Sequence, residues 1–402
     1  MLIFYQSIQI NNKFSGKEMS QKFKILKALA AVVAGIAIAT SSYADKKPAV
    51  NKVKGSLSVM VLGSGGPIAT AEGRASAGYL IFTDGKPRVL MDVGGGTYQR
   101  LAQSGTNIKD LDVILLSHLH ADHTGDLTSV MKTIYFHNNL ARNQAAMNGV
   151  TLPGRTAPIN VYGPTSSALP AATPGVSYPN GKLVYPSTAD YTHDHYSIPR
   201  GGVEHYLKAF VAGISDDDGP MGPGGPVSNF AYTANDLSSR VPFASVETVL
   251  EADDGLVITA IAVDHGPVPA VGFRIDYKGH SVVYSGDTGT KGRGPNHLGQ
   301  GNMAKLSMGA DMLIYDTAVM EMGGLPNNPL FHILHTQPSL IAGVAKTAGV
   351  KTLVLSHLTP VTSPRVDAIE AIIKGAGFEG KIKKAKDLKV YNLDDHDESH
   401  DD

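Results

Sequence analysis

The apolar positions downstream of residue 57 alternate between short strand-like runs and longer runs with helical periodicity. Short runs rich in β-branched and aromatic residues, bounded by glycine turns, predict strands. The predicted strands are Ser58–Leu62, Tyr79–Phe82, Val89–Asp92, Asp112–Leu116, Leu256–Val263, Gly272–Tyr277, Ser281–Ser285, Met312–Tyr315 and Thr352–Leu355. The predicted helices are Asp126–Asn138, Pro338–Ala348 and Arg365–Gly375. Strands therefore alternate with helices in both halves of the chain.

The intervening segment, from about residue 141 to 245, has a different composition. It is rich in Pro, Gly, Ser, Tyr and Asn and includes the run Gly219–Pro226, which favours irregular backbone. We interpret it as an insertion that forms loops over one face and shapes a substrate pocket. Its histidines at 193, 195 and 205 and its acidic run at 216–218 lack the ligand spacing of an EF-hand, so we assign no metal site to it.

The two ends of the chain predict an export signal and a disordered tail. Lysines at 22, 24 and 27 precede the apolar run 28–40, and Ser42-Tyr43-Ala44 offers small residues for cleavage, which together predict a signal peptide within residues 1–44. Met19 is a better start for such a signal than Met1. The run is shorter than the roughly 20 residues that span a bilayer. We therefore expect a periplasmic or secreted domain at 45–393 without a membrane anchor, followed by an acidic disordered tail at 394–402.

Composition narrows the chemistry further. The absence of cysteine excludes disulfides, thiolate metal ligands, a cysteine nucleophile and a lipid-modified N-terminal cysteine. The 35 basic and 36 acidic side chains nearly cancel, so no global field attracts nucleic acid or an anionic membrane.

The segment Ser117–His123, Ser-His-Leu-His-Ala-Asp-His, follows the predicted buried strand Asp112–Leu116 directly. It places four candidate metal ligands within six residues at the end of a strand. Packing has no use for so many imidazoles in a row, whereas imidazole and carboxylate clusters are typical of metal sites. The segment therefore predicts a metal centre.

The pattern His-x-His-x-Asp-His after a buried strand resembles the central motif of the metallo-β-lactamase superfamily. Three later motifs match that superfamily in order: Val263-Asp264-His265, Tyr284-Ser285-Gly286-Asp287-Thr288 and Val354-Leu355-Ser356-His357. Together with Leu62–Pro67 and Asp92–Thr97, the sequences of these motifs are most similar to the ribonuclease Z branch. That branch includes phosphodiesterases and some secreted arylsulfatases. The resemblance covers about residues 57–136 and 250–392. It implies a four-layer αββα sandwich with the metals at one edge, between the two sheets, beneath the Gly/Pro-rich insertion.

The resemblance also implies a ligand set. One metal is bound by His118, His120 and His265, the other by Asp122, His123 and His357, and Asp287 bridges both. Imidazole and carboxylate ligands suit zinc, with manganese or iron as alternatives. Two such cations lower the pKa of a shared water and provide hydroxide as the nucleophile at neutral pH.

A general acid is implied as well. In the ribonuclease Z branch a histidine shortly before the last ligand, oriented by an acidic residue, protonates the leaving group. His335 matches that histidine and Asp316 matches the acidic partner, although the family usually has glutamate there. His332 is a competitor for the role of His335. A neighbouring carboxylate keeps a histidine protonated closer to neutral pH, as an acid must be.

These residues predict an exported two-metal hydrolase that cleaves a phosphodiester or sulfate ester of a small molecule. We expect no nucleic acid partner, because export separates the protein from transfer RNA and because only residues 266–286 lie between His265 and Asp287. Ribonuclease Z typically carries a long RNA-gripping arm at that place.

Three alternatives remain open. A lactonase, thioesterase or β-lactamase-type enzyme would direct the same hydroxide at a carbonyl, and ring opening would depend less on His335. A metal-loaded binding module without catalysis is a second alternative, disfavoured because all seven ligand positions are filled. The assembly is open between a monomer and the homodimer common in the superfamily.

Overall fold

The computed structural model describes residues 48–151, 157–170, 182–197, 199, 202–203, 215–216, 219–220, 232–240, 244–289, 298–321 and 329–394. The predicted signal peptide, His205 and the tail beyond residue 394 lie outside the described residues. Within the described part, none of the helices combines the length and apolar character needed to cross a bilayer.

Eighteen strands and eight α-helices organise the described residues. The strands are β1 Leu57–Gly63, β2 Gly78–Thr83, β3 Lys86–Met91, β4 Val113–Leu115, β5 Ile159–Pro164, β6 Ser167–Pro170, β7 Lys182–Tyr185, β8 Ser215–Asp216, β9 Gly219–Pro220, β10 Tyr232–Leu237, β11 Glu247–Glu251, β12 Val257–His265, β13 Val268–Tyr277, β14 His280–Tyr284, β15 Met312–Asp316, β16 Thr352–Ser356, β17 Lys381–Lys384 and β18 Val390–Asn392. The helices are α1 Thr97–Ser104, α2 Ala121–Thr124, α3 Leu127–Met147, α4 Thr188–Tyr196, α5 Leu298–Leu306, α6 Pro329–Leu334, α7 Pro338–Ala348 and α8 Val366–Gly375.

The strands form two large mixed sheets. The first has seven strands in the order β10-β5-β4-β3-β2-β1-β18, and the second has seven in the order β11-β12-β13-β14-β15-β16-β17. Strands β3, β4, β5 and β10 pair in parallel, as do β14, β15, β16 and β17, whereas the remaining pairs are antiparallel. Parallel strands present their carboxyl ends at one edge of a sheet, which is where α/β proteins place their sites.

Three apolar layers separate the sheets and helices. In β1, Val59 and Val61 pack between the two sheets, while Met60 and Leu62 face the helices that cover the first sheet. This alternation follows from the two-residue period of a strand. On the second sheet, Ile261 and Val263 pack against α5, α7 and α8. The resulting order of helix, sheet, sheet and helix confirms the predicted αββα sandwich.

Near both ends of the predicted insertion the backbone is regular, whereas the sequence predicted loops. Helix α3 continues to Met147, and β5 and β10 belong to the first sheet, with Tyr232 opposite Ile159 and Leu237 opposite Pro164. Strand β10 is a polar edge strand, Tyr-Thr-Ala-Asn-Asp-Leu, so its hydrophobic pattern is too weak to be recognised in the sequence. Strands β6 to β9 form two separate two-stranded ribbons.

Candidate metal centre

Four strand ends deliver the predicted ligands to one edge, between the two sheets. The loop after β4 carries His118 and His120, and the short helix α2 follows with Asp122 and His123. The second sheet contributes residues from the ends of β12, β14 and β16, namely His265, Asp287 and His357. The two sheets meet here, because the Val271 amide of β13 donates to the Ser117 carbonyl at 2.9 Å.

The first ligand group consists of His118, His120, His265 and Asp287, whose ligand atoms all lie within 4.8 Å of one another. His265 Nε2 lies 3.4 Å from His120 Nδ1. His118 Nε2 and His265 Nε2 each lie 3.8 Å from Asp287 Oδ2. The group therefore offers three imidazole nitrogens and one carboxylate oxygen around a common point.

The second ligand group consists of Asp122, His123, His357 and Asp287, again within 4.8 Å of one another. The Nε2 atoms of His123 and His357 are 3.1 Å apart. Each also approaches Asp122 Oδ2, at 3.3 and 3.2 Å, and Asp287 Oδ1, at 3.3 and 3.1 Å. Asp287 thus directs one oxygen to each group, as the bridging role requires.

These distances fit a divalent cation in each group. Ligand atoms 2.0–2.1 Å from a tetrahedral ion lie about 3.3 Å from one another, close to the contacts of the second group. In addition, His118 Nε2 and Asp287 Oδ1 are buried and have no hydrogen-bond partner among the described residues. Buried polar atoms without partners are costly, and a cation would satisfy both. The described clusters hold only nitrogen and oxygen ligands, which suit zinc, manganese or iron.

Buried hydrogen-bond partners at the Nδ1 atoms orient two of the imidazole rings. Asp92 Oδ2 accepts from His123 Nδ1 at 2.7 Å, which leaves the Nε2 lone pair free for a cation. Asp92 also accepts from the Ser117 amide, the Ser117 hydroxyl and the Tyr284 hydroxyl at 2.6–2.7 Å. His265 Nδ1 donates to the Leu334 carbonyl at 2.9 Å. Asp92 was recognised in the sequence only as part of a motif, and its support of His123 depends on tertiary contacts.

The protonation of the two groups differs. Burial lowers the pKa of His118 and His120, and it lowers the pKa of His265 to about 4. Burial also opposes protonation of His123 and His357, but the charge of Asp287 and the neighbouring carboxylates outweigh it. The pKa of His123 is therefore well above its usual value, and that of His357 is raised to about 10.

The predicted acid and its partner lie beside the second group. His335 Nδ1 is 2.6 Å from Asp316 Oδ2, and both side chains are buried. Asp316 Oδ1 also lies 3.3 Å from His357 Nδ1. Burial disfavours the charge of Asp316, yet the neighbouring His335 holds its pKa below the usual range. The competitor His332 makes a different contact, from Nε2 to the Met320 carbonyl at 3.1 Å.

His193 and His195, the two described histidines of the insertion, do not join these groups. His193 Nδ1 contacts the Tyr232 hydroxyl at 3.0 Å, and His195 Nδ1 donates to the Tyr191 carbonyl at 2.8 Å. Both side chains are exposed on α4. The structure therefore brings together all seven predicted ligands with His335 and Asp316, and it places these two histidines elsewhere.

Comparison with protein families agrees with this geometry. A family model described as "Beta-lactamase superfamily domain" matches residues 226–358, which include His265, Asp287, Asp316, His335 and His357. Residues 226–358 thus resemble the metallo-β-lactamase superfamily, in agreement with the αββα fold. A second family model, "Anti-Pycsar protein Apyc1", matches residues 57–148, which carry the first four of the candidate ligands.

Among individual proteins, this chain is similar to ribonuclease Z of Mycobacterium bovis, with 28% identity over 343 residues, covering 83% of this chain and 96% of the relative. Its fold is similar to that of human tRNase Z, short form, with a TM-score of 0.53 and 18% identity, covering 84% of this chain and 99% of the human one. A long form RNase Z from yeast matches with a TM-score of 0.51 and 16% identity, covering 87% of this chain and 43% of the yeast one.

These relatives correct one prediction. The expectation that no nucleic acid is a partner is wrong, because the relatives that match most of the chain are named for action on RNA. Net charge, export and the short span between His265 and Asp287 had supported that expectation. Net charge averages over the whole surface and does not report a local phosphate-binding face. The argument from export relied on a segment outside the described residues.

Proposed function

We propose that this protein is a two-metal phosphodiesterase in which His335 protonates the leaving oxygen. The observation that carries the proposal is the buried pair of His335 Nδ1 and Asp316 Oδ2, 2.6 Å apart, beside the second ligand group. Hydrolysis of a phosphodiester expels an alkoxide, which needs a proton. Ring opening of a lactone need not expel a separate leaving group, so this pair favours the phosphodiester.

The chemistry of the pair follows from its contacts. Asp316 accepts a hydrogen bond from the Nδ1–H group of His335. This bond holds the ring in one orientation, with Nε2 directed away from the carboxylate. Because Nδ1 is held by Asp316, Nε2 is the ring atom from which His335 would donate a proton to the leaving oxygen. After donation the neutral ring keeps its Nδ1 bond to Asp316. Asp316 is accordingly a positioning residue for His335.

The two ligand groups would hold divalent cations, for which zinc is our proposal and manganese or iron are alternatives. Such cations supply Lewis-acid polarisation of a phosphoryl oxygen and a nucleophilic water at neutral pH. The chain contributes a preorganised cradle, because outer partners fix His123 and His265 before substrate arrives. Asp122, whose pKa the adjacent His123 and His357 hold far below its usual value despite burial, stays ionised as a ligand.

The proposal concerns the bond cleaved and includes substrates of different sizes. Relatives named ribonuclease Z support RNA as one substrate. Residues 266–286 form β13, β14 and a tight turn at Lys278-Gly279, so they carry no long arm, which supports small phosphodiesters as another. A sulfate ester has a similar anionic tetrahedral centre, so arylsulfatase activity is a second candidate function.

We also propose that the protein is exported. The lysines at 22, 24 and 27, the apolar run 28–40 and the small residues before Asp45 support this. N-terminal sequencing of the protein recovered from a periplasmic or culture fraction tests it. A chain that retains residues 19–44 and stays inside the cell would contradict export without touching the chemistry.

The activity test compares two histidines of the same segment. The wild type is assayed on bis(p-nitrophenyl) phosphate, an RNA with an extended 3′ end, p-nitrophenyl sulfate, an acyl-lactone and nitrocefin, with metal analysis. His335→Asn should lower kcat about 10²- to 10⁴-fold on the RNA, whose leaving group is a poor one, and less on the nitrophenyl ester. His332→Asn is the matched control and should retain activity, since its contact is with the Met320 carbonyl.

Each other outcome has a clear meaning. Turnover of the lactone or nitrocefin alone, with little effect of His335→Asn, would establish carbonyl hydrolysis and overturn the phosphodiesterase proposal. Turnover of the sulfate alone would assign the arylsulfatase class. Bound metal without turnover of any of these esters would favour the binding module.

A further inference from the structure

The backbone of Gly66 lies directly against the imidazole of His357. A Cβ atom on Gly66 would lie 2.9 Å from both Cε1 and Nδ1 of that ring and 3.3 Å from Nε2. Such distances are too short for carbon, so any side chain at 66 would displace the ring. Glycine is the residue that permits this close approach.

His357 depends on its surroundings to keep its conformation. Its φ is +58°, in the left-handed region that non-glycine residues rarely adopt. A residue held there persists only when neighbouring structure fixes it. Two backbone hydrogen bonds provide part of that support: the Leu358 amide donates to Ser64 O at 2.9 Å, and the Gly66 amide donates to Leu358 O at 3.1 Å. We call residues 64–66 the glycine loop, and these two bonds connect it to the residue that follows His357.

Asp387 anchors the glycine loop from far along the chain. Its Oδ1 accepts from the Ser64 amide at 3.1 Å and from the Ser64 hydroxyl at 2.7 Å. Its Oδ2 accepts from the Ala75 amide at 2.8 Å and from Arg100 Nε at 2.9 Å. The Gly65 amide in turn donates to the Ala75 carbonyl at 2.8 Å. One carboxylate therefore fixes both the loop and the strand-like segment beside it.

We propose that Asp387 is a positioning residue for the second ligand group, acting on His357 through the glycine loop. Among the described residues, the first ligand group makes no hydrogen bond to the glycine loop or to Asp387. His265 is held by the Leu334 carbonyl, and Nδ1 of His118 lies 3.2 Å from the Ser117 hydroxyl. Loss of Asp387 should therefore weaken metal binding at the second group selectively. This inference rests on the proposed two-metal function.

The test uses Asp387→Ala and the milder Asp387→Asn, with Asp311→Ala as a matched control. Asp311 resembles Asp387 in its contacts, because it accepts from the Ser281 amide at 2.8 Å, from the Ser281 hydroxyl at 3.3 Å and from Lys351 Nζ at 2.7 Å. Its side chain is 18% exposed, compared with 12% for Asp387. Zinc Kd values for the two sites are measured against a chelator, and the visible spectrum of the Co²⁺-substituted protein reports ligand geometry.

We expect Asp387→Ala to raise the Kd of one zinc about 10- to 100-fold, the range for residues that orient metal ligands. The other Kd should be unchanged, and excess zinc should restore kcat without altering KM. In a protein that also carries His265→Ala, only the second group should bind zinc tightly. Asp387→Ala should raise the zinc Kd in that background as well. Asp387→Asn should fall between the wild type and the alanine variant, and Asp311→Ala should change neither Kd nor the Co²⁺ spectrum.

A second variant keeps the inference testable if Asp387→Ala does not fold. Gly66→Ala should produce the same selective loss, with Gly375→Ala as control because a Cβ there meets nothing within 4 Å. Equal weakening of both sites, or unchanged Kd values in folded Asp387→Asn and Gly66→Ala, would overturn the inference. A wild type that binds no metal would instead overturn the proposed function.

Discussion

The two ligand groups share Asp287 but differ in the types of side chain that surround it. The first group adds three histidines, whose positive forms are disfavoured by burial and by one another. The second adds Asp122 to His123 and His357, and two further carboxylates, Asp92 and Asp316, stand behind those rings. The first group therefore has Asp287 as its one carboxylate, whereas the histidines of the second are surrounded by several.

Because of this difference, a metal ion competes with protons for the histidines of the second group but not for those of the first. A metal binds deprotonated imidazole, so binding to a protonated histidine releases a proton. Around neutral pH the first group is already deprotonated, and a cation enters it without proton release. In the second group the cation must displace protons from His123 and His357, but it gains the attraction of more carboxylates.

Removing the shared residue should have the largest effect. Asp287→Ala deletes one ligand from each group, and we expect loss of both metals at stoichiometric zinc and a fall in kcat on the order of 10⁴-fold, because each cation contributes several kcal/mol of transition-state stabilisation. Metal analysis after gel filtration and phosphodiester kinetics measure this. Retention of two equivalents of metal would contradict the shared role of Asp287.

Single-ligand variants should separate the groups. His265→Ala and His357→Ala should each retain about one equivalent of metal, the former in the second group and the latter in the first. We expect kcat to fall on the order of 10²-fold or more in each, since one cation is lost. The Co²⁺ spectra of the two variants should differ, because one remaining site is rich in histidine and the other in carboxylate. Identical spectra would mean that the groups are not independent.

The support behind His123 predicts a smaller and selective effect. Asp92→Asn removes the negative charge of the group that accepts a hydrogen bond from His123 Nδ1. We expect the zinc affinity of the second group to fall about 10- to 100-fold. Asp84→Asn is the matched control: Asp84 also has a positive φ, +48° compared with +54° for Asp92, and also accepts from a tyrosine hydroxyl, that of Tyr277 at 2.6 Å. A loss of zinc affinity in both variants would indicate a general effect on the fold.

The sequence was sufficient for the parts of the site that local pattern determines. The apolar strand before Ser117 placed His118, His120, Asp122 and His123 at a strand end, whereas the ligand roles of His265, Asp287 and His357 came from the resemblance to the metallo-β-lactamase superfamily. Helix α7 was predicted over the observed range, since Pro338 occupies its first turn and Gly349 ends it in a left-handed conformation.

Other features depend on contacts between distant segments, which periodicity does not encode. Asp387 meets Ser64 across 323 positions of sequence, and Asp92 meets Tyr284 across 192. Strand β10 is polar and becomes a strand only because β5 offers it an edge. These three features can be recognised only in the folded structure.

The pH dependence of zinc binding should give the mildest test of the comparison. The pKa of metal-free His357 is raised to about 10, so at any pH below that value it binds a proton that zinc must displace. The zinc affinity of the second group should therefore rise about tenfold per pH unit for each proton released, between pH 6.5 and 8.5. The pKa of His265 is lowered to about 4, so this histidine is neutral throughout that range and contributes no slope to the first group. Isothermal titration in buffers of different ionisation enthalpy counts the protons released with each zinc. One or two protons with one zinc and none with the other is the expected result. Equal proton release from both sites would show that the carboxylates behind the second group do not distinguish it from the first.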